Sequence, residues 1–513
     1  MDEVLQFLVV LVSLLIIILT LRYYRQRWPV ANFPPGPTGL PIIGTRLYTG
    51  IDFHRTARKL AHGYGNVCSF MLGKPMVLAN DFDAINEVFN RNKGFDFASR
   101  RESAYVVGLS NPKKLGLFDS DYSERWEQHR RFVVSTLRGF GFGKSSFEGK
   151  ITEEVQNLLS HLKDLAKVPQ DLSNVLTLSV SSIVCNLVLG CRYDHSSKEF
   201  LHIVDTIEKF MSNFGKTSMV LMEFVPISRP FLQRSVQEMR DIYAEFSSVV
   251  MSRVADRQKT FSADKEPQNF VDCYLAKMME QPDIFSLEDL EIVLRDLFGA
   301  SMESTSNTIM FALLYLVANP DVQEKVHEEL MTVVGPSQLP CLEDRDRLPY
   351  TVATIYESQR LGSVTPVISR CATVDTTLAG YAIPKGTNVI CNTWGLHYDP
   401  DIWPDPYRFD PTRHLNNDGE VIKSPYLVPF GGGRRVCMGE SLAKMELFLY
   451  FCSLMHQFKF ELPPGAEMPS MEPMPGFNAS PQSFTVMIKE YVNTSIPYEP
   501  FSLTENGMPL TKN

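Results

Sequence analysis

The sequence predicts a mainly α-helical protein with small β-sheets, built as one large domain behind an N-terminal transmembrane helix. Long amphipathic segments dominate the chain, for example at residues 123–137, 151–165 and 175–189. Short runs with strand character occur at residues 66–79, 380–391 and 484–491. An apolar stretch opens the chain, and no linker rich in Pro, Gly and Ser divides the remainder.

Composition narrows the class of protein before any motif is considered. The chain has 513 residues, of which 44% are hydrophobic and 21% are charged, and this excludes a disordered or collagen-like protein. The net charge of −9 argues against a general nucleic-acid binder, which would carry a basic surface. Nine scattered cysteines without a Cys-x-x-Cys pair indicate reduced thiols rather than a disulfide framework or a zinc ribbon.

The N-terminal segment predicts a membrane anchor. Residues 4–21 carry no charge and are just long enough to cross the apolar core of a bilayer. Acidic residues precede this stretch and arginines follow it, so the positive-inside rule places the body in the cytosol. We expect an anchor at 1–21, a basic, proline-rich hinge at 22–41 and a single large domain at 42–513. A cleaved signal peptide and a buried core helix are the alternatives.

Turn and capping signals locate the main elements of the body. Residues 66–79 predict a hairpin that turns at 73–75, and residues 380–391 predict a second one that turns at 384–386. The longest helix is predicted to follow Ser286, a good N-cap, and to stop at Asn319-Pro320. The loop at 463–481 is rich in Pro, Met and Gly, and long loops of this kind are often functional.

The densest chemical signal is the glycine-rich segment 430–439, which places Cys437 just before a helix predicted to start near Glu440. Three glycines allow the backbone to pass close to something large and flat. Free N–H groups at the helix N-terminus would stabilise a thiolate here. Arg434 and Arg435 add positive charge that suits a thiolate or the acid groups of a ligand. The alternative is a buried cysteine on a glycine-rich turn.

A second pattern is an acid–base pair. Glu357 and Arg360 share one face of a helix predicted between Pro349 and Gly362. A proline-broken stretch further on offers Arg408 as a third partner. Taken alone, such a pair is usually solvated.

A third pattern lies within the longest helix. Glu303 stands beside Ser301, Ser304 and Thr305 in an otherwise apolar stretch. A carboxylate in such surroundings is costly unless it has a task, although a polar helix face is the simpler explanation.

Together these patterns resemble the heme-thiolate monooxygenases of the cytochrome P450 family. The cysteine segment, the Glu-x-x-Arg pair, the Pro-x-Arg-Phe element at 406–409 and the acid–hydroxyl helix occur in the family's order and spacing. The resemblance covers the chain from the proline hinge to about residue 492, and residues 124–147 are most similar to the animal microsomal family 2. It implies a single large heme-thiolate monooxygenase fold. The catalytic heme domain is then residues 42–513, held on the endoplasmic reticulum membrane by the anchor.

The resemblance implies heme b as the cofactor, with Cys437 as the thiolate ligand of its iron and electron donation that favours O–O cleavage. Phe430 is expected to pack against the cysteine loop. Ser369 replaces the usual histidine on one side of the heme. Glu357, Arg360 and Arg408 are expected to form a buried structural ion triad. The residues expected to reach the heme propionates are Arg100, Trp126, Arg130, Arg370 and Arg435.

The catalytic residues that the resemblance implies are Glu303, Ser304 and Thr305. Glu303 suits a proton relay. Ser301 stands where the family usually has glycine, and Ser304 stands where it usually has threonine. Because serine rotates more freely than β-branched threonine, we expect looser proton delivery to oxygen and more peroxide release.

The implied partners are O2, a lipophilic small molecule, NADPH–cytochrome P450 reductase and, as a further candidate, cytochrome b5. The substrate is a xenobiotic, steroid, fatty acid or terpenoid. The reductase is expected to meet a basic surface formed by Arg125, Arg131, Arg138, Lys144 and Lys444. The pocket is expected to be apolar and to use residues 102–118, 298–300 and 364–368, Phe477 and Ala479.

Two other activities stay open at this point. One is a heme-thiolate isomerase or dehydratase that rearranges a peroxide without external electrons. The other is a non-catalytic heme-binding sensor or carrier. Retention of Glu303 with Ser304 argues against the isomerase, because such enzymes often lack both groups.

Overall fold

The structure is a computed structural model, and it describes most of the chain. The described residues are 2–27, 29–40, 44–45, 53–72, 74–90, 94–100, 108–109, 111–140, 145–166, 168–214, 216–224, 226–474, 476 and 478–491.

Helices make up most of the described chain. They are α1 (Asp2–Arg27), α2 (Phe53–Tyr64), α3 (Phe82–Phe89), α4 (Glu124–Gly139), α5 (Ser145–Leu165), α6 (Ser173–Leu189), α7 (Lys198–Phe214), α8 (Thr217–Phe224), α9 (Gln233–Thr260), α10 (Phe270–Glu280), α11 (Leu287–Ala318), α12 (Pro320–Val333), α13 (Pro349–Gly362), α14 (Thr393–His397) and α15 (Glu440–Gln457). Short 3₁₀ turns lie at Pro226–Leu232, Leu342–Arg347, Pro411–His414 and Gly433–Arg435.

The strands form three small sheets. They are β1 (Val67–Leu72), β2 (Lys74–Ala79), β3 (Ile368–Cys371), β4 (Thr376–Leu378), β5 (Tyr381–Ile383), β6 (Asn388–Cys391), β7 (Phe458–Glu461) and β8 (Met487–Glu490). The largest sheet has the order β1-β2-β6-β3, and β4 pairs with β5 and β7 with β8. The mainly α fold with small β-sheets is therefore confirmed.

Two of the three predicted strand regions are confirmed and one is wrong. The hairpin at 66–79 is the antiparallel pair β1–β2, and β8 lies within 484–491. The predicted hairpin at 380–391 does not form, because β5 turns back onto β4 whereas β6 joins β2 in parallel. The turn lies at Ala379 and Gly380, which both have positive φ, and not at 384–386.

The longest helix, α11, is the spine of the core. Its N-cap, Ser286, accepts a hydrogen bond from the Asp289 backbone N–H at 3.1 Å, and the helix ends before Asn319 and Pro320. These bounds agree with the prediction. The helix packs against α6, α13 and α15 and is buried along most of its length. Because its middle is enclosed by apolar neighbours, polar groups there must find partners.

The Glu357 carboxylate is the centre of a buried ion network, and its third partner is not the predicted one. Arg360 donates to both carboxylate oxygens at 2.8 Å, and His414 Nε2 lies 3.1 Å from Oε2. Arg413 Nε lies 3.3 Å from Oε1. The side chain of Arg408 is exposed, and only its carbonyl oxygen accepts from Arg360. The 3₁₀ turn at Pro411–His414 explains the difference, because it places the side chains of Arg413 and His414 beside the Glu357 carboxylate.

Among the described helices, none is both long enough and apolar enough to cross a membrane. The anchor predicted at residues 1–21 falls within α1 and stays a prediction.

Candidate functional site

A large internal cavity lies between α11, α15, strand β3 and the loop that precedes α15. Its volume is about 1120 Å³. One end is lined by Cys437, Phe430 and arginine side chains, and the other end is lined largely by apolar residues. Most of the residues predicted for the site therefore meet around one space.

Cys437 opens into this cavity. Its backbone N–H donates to the Phe430 carbonyl at 3.0 Å, which closes the loop, and its side chain has accessible surface on the cavity side. Burial within the protein raises the pKa of the Cys437 thiol. The backbone N–H groups of Gly439 and Glu440 and the charge of Arg130 act in the opposite direction. This set of donors stabilises a thiolate, which metal coordination favours further.

The glycines of the loop are required by a contact that the sequence did not indicate. Gly431 and Gly433 have φ values of 66° and 71°, which are strained for other residues. A Cβ on Gly432 would lie 2.8 Å from Cβ of Phe89, and one on Gly433 would lie 2.7 Å from its carbonyl oxygen. At these two positions the backbone therefore approaches α3 closely.

Four arginines line the same end of the cavity. Arg435 donates to the carbonyls of Ala98, Leu117 and Ser120 at 2.8, 3.0 and 2.6 Å. Arg100 donates to Phe118 O and Ser369 O, both at 2.7 Å. Arg370 donates to Ser369 O at 3.0 Å, and Arg130 donates to Val436 O. Backbone carbonyls thus fix the four guanidinium groups while leaving them beside the cavity.

The arginines raise the positive potential of the cavity wall. Burial lowers the pKa of Arg435 to about 8 and that of Arg370 to about 9, and repulsion from neighbouring guanidinium groups adds to both shifts. The nearest acids, Asp119 and Asp296, offset only part of this charge, since both also interact with Arg295. Binding a ligand with two carboxylates here would relieve the repulsion.

Two other residues lie beside the arginines. Trp126 is not part of the wall of the large cavity; its Nε1 donates to Leu117 O at 3.0 Å, and Arg435 stacks over its ring at 3.8 Å. Trp126 therefore supports the guanidinium group of Arg435. Ser369 turns its hydroxyl to Asn388 and offers its carbonyl to Arg100 and Arg370.

The predicted catalytic residues lie on α11, but they face different ways. Ser304 is half-buried, lines the cavity and donates to the Ala300 carbonyl at 2.8 Å. Thr305 is 4% exposed, and its hydroxyl bonds the carboxyl of Glu446 on α15. Glu303 accepts from Asn478 at 3.4 Å. Burial raises the pKa of Glu303 against the opposing effect of that hydrogen bond.

Two acidic residues of the cavity wall escaped the sequence analysis. Asp296 accepts the backbone N–H groups of Leu117 and Phe118 at 2.7 and 3.0 Å, and so orders the segment whose carbonyls hold Arg435. Glu446 is 2% exposed on α15. The sequence held one signal for Glu446: it is an acid within the apolar run MELFLYF, which follows the cysteine segment.

The substrate end of the cavity agrees only partly with expectation. Val364, Thr365, Val367 and Ile368 line it, as do Ala300, Leu117 and Phe118. Phe298 is fully buried in the core and is not part of the wall, and Asn478 lines it in place of Ala479. Residues 102–107 and Phe477 lie outside the described residues.

Comparisons with known proteins agree with this geometry. A family model described as Cytochrome P450 matches residues 34–488. Cytochrome P450 2U1 of Rattus norvegicus is 35% identical over 493 residues, which covers 91% of this chain and 92% of the relative. Cytochrome P450 2C5 of Oryctolagus cuniculus is 34% identical over 460 residues, covering 88% and 93%. Cytochrome P450 2D28 of Mesocricetus auratus is 32% identical over 478 residues, covering 92% and 95%.

The residues present fit the cofactor of that family, which is a heme whose iron binds a cysteine thiolate. An accessible thiol and four guanidinium groups face one cavity, and this combination suits a metal ion within a macrocycle that carries two carboxylates. The residues of the cavity wall and the family match over most of the chain support the same assignment. The chain belongs to the cytochrome P450 family and is a heme-thiolate monooxygenase.

Proposed function

We propose that the enzyme inserts one atom of O2 into a lipophilic small molecule, with electrons from NADPH delivered by a flavoprotein reductase. One observation carries the proposal: the thiol of Cys437 and a mostly apolar wall belong to the same cavity. Apolar walls with few polar groups are typical of sites for lipophilic ligands. The heme, when bound, supplies the oxygen-activating chemistry, and its thiolate ligand favours O–O cleavage.

The chain's own residues have distinct tasks in this proposal. Cys437 ligates the heme iron, and Phe430 packs beside the cysteine loop. Arg100, Arg130, Arg370 and Arg435 bind the propionates, which explains why they line one end of the cavity. Glu303 serves as the proton relay, since its carboxyl accepts a hydrogen bond from Asn478, which lines the cavity, and burial raises its pKa. Ser304 presents a hydroxyl to the substrate side.

We also propose a docking surface for the reductase on α4, beside the large cavity, with Arg130 lining both spaces. A shallow groove of about 580 Å³ lies there, and Arg131, Arg138 and Arg434 all line it. Of the candidates from the sequence, Arg125 instead pairs with the buried Asp289, and Lys444 pairs with Glu440. Lys144 lies outside the described residues. The groove is thus a local basic surface on a chain of net charge −9.

Charge reversal in this groove tests both the electron route and the activity. The double variant Arg131→Glu/Arg138→Glu should slow reductase-driven NADPH oxidation roughly tenfold at low salt, because surface charges steer the encounter of two proteins. Raising the ionic strength should shrink the difference from wild type, since salt screens exposed charges. Turnover driven by hydrogen peroxide should stay at the wild-type rate.

A matched control separates a local effect from a change in total charge. Arg240→Glu/Lys265→Glu alters the net charge equally at two exposed positions away from the groove. It should leave both assays unchanged. Equal loss of reductase-driven and peroxide-driven turnover in the groove variant would mean that the heme site had been damaged. Wild-type enzyme that consumed no NADPH with the reductase would contradict the proposed activity.

We propose that residues 1–21 anchor the protein in the endoplasmic reticulum membrane, that 22–41 form a hinge, and that 42–513 form a cytosolic catalytic domain. The support is an uncharged stretch at residues 4–21 in which many of the described apolar side chains are exposed, such as Phe7 at 66% and Ile16 at 57%.

Deleting residues 1–21 should therefore move the protein from the membrane fraction to the soluble fraction. The shortened chain should keep its heme, because the cavity is lined by residues from 53 onward. The measurement is fractionation of microsomes after carbonate washing, with heme content read by absorbance. Full-length protein that carbonate strips from the membranes would contradict the anchor.

A further inference from the structure

A buried acid on α15 has no role in the function described so far. Glu446 is 2% exposed and lines the heme cavity, and it lies on the helix that follows the cysteine loop. One of its carboxyl oxygens, Oε1, has no hydrogen-bond partner within the described structure. An unpartnered oxygen at such burial is costly for a carboxylate, because ionised groups are poorly stabilised without a donor or a cation.

The contact of Glu446 with Thr305 links the two helices that enclose the cavity. The other hydroxyls along this part of α11 donate to carbonyls one turn earlier, as Ser301, Ser304 and Thr308 do at 2.6–2.8 Å. Thr305 instead bonds the Glu446 carboxyl across the helix–helix interface. This contact therefore joins α11 to α15 next to the predicted catalytic hydroxyl of Ser304.

The surroundings of Glu446 favour its uncharged form. Burial raises the pKa of Glu446 to about 8, and the Thr305 hydrogen bond opposes the shift without cancelling it. Tyr450 on the same helix feels the charge of both Glu446 and Glu154 of α5. In the described part of the chain no Lys, Arg or His side chain forms an ion pair with Glu446.

We propose that Glu446 is an un-ionised carboxylic acid that positions the distal hydroxyls. It holds the Thr305 hydroxyl against α15, whereas the Ser304 hydroxyl on the same cavity wall bonds its own helix. Glu446 is thus a positioning residue. The O–H group of its un-ionised carboxyl can donate to a water molecule in the cavity. This inference rests on the proposed monooxygenase function, because it concerns proton delivery within that site.

The protonation state can be measured on the heme-loaded enzyme without turnover. The infrared difference spectrum of wild type minus Glu446→Gln at pH 7 should show a carboxylic-acid C=O band. That band should shift to higher frequency in Thr305→Val, because the hydroxyl donor is lost, and should persist in Glu154→Gln. Absence of the band from the wild-type difference spectrum would mean that Glu446 is ionised, which would overturn the proposal.

The positioning role is measured by the fraction of NADPH electrons released as hydrogen peroxide. Glutamine keeps a carbonyl acceptor for Thr305 and an N–H donor towards the cavity, so Glu446→Gln should couple nearly as well as wild type. Glu446→Leu and Thr305→Val should each raise peroxide release several-fold. The double variant should be no worse than either single one, because both remove the same contact. Unchanged peroxide release in Thr305→Val would refute the positioning role.

Failure of this inference is distinguishable from failure of the proposed function. All variants should keep the thiolate-type spectrum of the reduced carbon monoxide complex. If Glu446→Leu does not retain heme, Thr305→Val still tests the positioning role. This variant replaces the hydroxyl of Thr305 by a methyl group and leaves the Glu446 carboxyl in place. Wild-type enzyme without reductase-driven turnover would contradict the function alone, while the infrared band would still report Glu446.

Discussion

Replacement of Cys437 by alanine should abolish the thiolate-type absorption of the reduced carbon monoxide complex and most of the bound heme. Within the described wall of the cavity, Cys437 is the sole cysteine, so no other thiol can take over the ligand position. The arginines alone would hold the propionates without a bond to the metal. Reductase-driven turnover should fall to background with the spectrum.

Two further variants serve as comparisons for Cys437→Ala. Cys273→Ala removes a half-buried thiol on α10, away from the cavity, and should leave heme content and spectrum unchanged. Cys437→Ser preserves the size of the side chain and should also lose the thiolate-type band, which shows that the sulfur is responsible. A thiolate-type spectrum that survived in Cys437→Ala would falsify the ligand assignment.

The second large effect is expected from Glu357, the carboxylate at the centre of the ion network. Glu357→Gln removes the negative charge and leaves Arg360 fully buried without a counter-charge. Breaking one arm of a buried pair typically costs about 3–5 kcal/mol of unfolding free energy. The measurement is urea unfolding followed by circular dichroism at pH 7. Glu238→Gln is the matched control, because its i,i+4 pair with Arg234 is exposed and should contribute less than about 1 kcal/mol.

The pH dependence of stability gives an independent check on Glu357. Burial alone would raise its pKa, but hydrogen bonds from Arg360 and His414 outweigh burial and lower the pKa to about 2. A carboxyl whose pKa is lowered on folding stabilises the folded state above its unfolded pKa, near 4.5. That stability, on the order of 3 kcal/mol, should be lost as the pH falls from about 4.5 to about 2. Glu357→Gln should lack this part of the acid transition; an unchanged profile would contradict it.

Local signals predicted the helices well because they are encoded within a few residues. Ser286 before α11, Pro349 at the start of α13 and Pro320 after α11 set helix ends through caps and missing donors, which need no distant contact. Strand pairing is different. Whether β6 pairs with β5 or with β2 depends on residues more than 300 positions away, and the turn residues at 384–386 fit a hairpin that the sheet does not use.

Site residues within one sequence motif could be predicted. Site residues whose partners are distant in sequence were harder to predict. Segment 430–439 singled out Cys437 as a candidate, and the other motifs were needed to favour a heme ligand over a buried cysteine. Arg408 and Arg413 were indistinguishable in sequence, since only the 3₁₀ turn decides which side chain reaches Glu357. Glu446 was missed because its partner, Thr305, is on another helix.

The seating of the cysteine loop has a consequence for the order of folding during synthesis. Arg435 bonds carbonyls that lie 337, 318 and 315 residues earlier, and Gly432 and Gly433 pack on Phe89. These closures span most of the polypeptide and form late, because long loops lose the most entropy before any contact repays it. A nascent chain still on the ribosome at residue 430 has its arginine-binding carbonyls exposed and no ligand for iron. Cofactor capture in this protein therefore requires synthesis at least as far as Cys437, and a premature stop before that codon removes the proposed ligand of the iron.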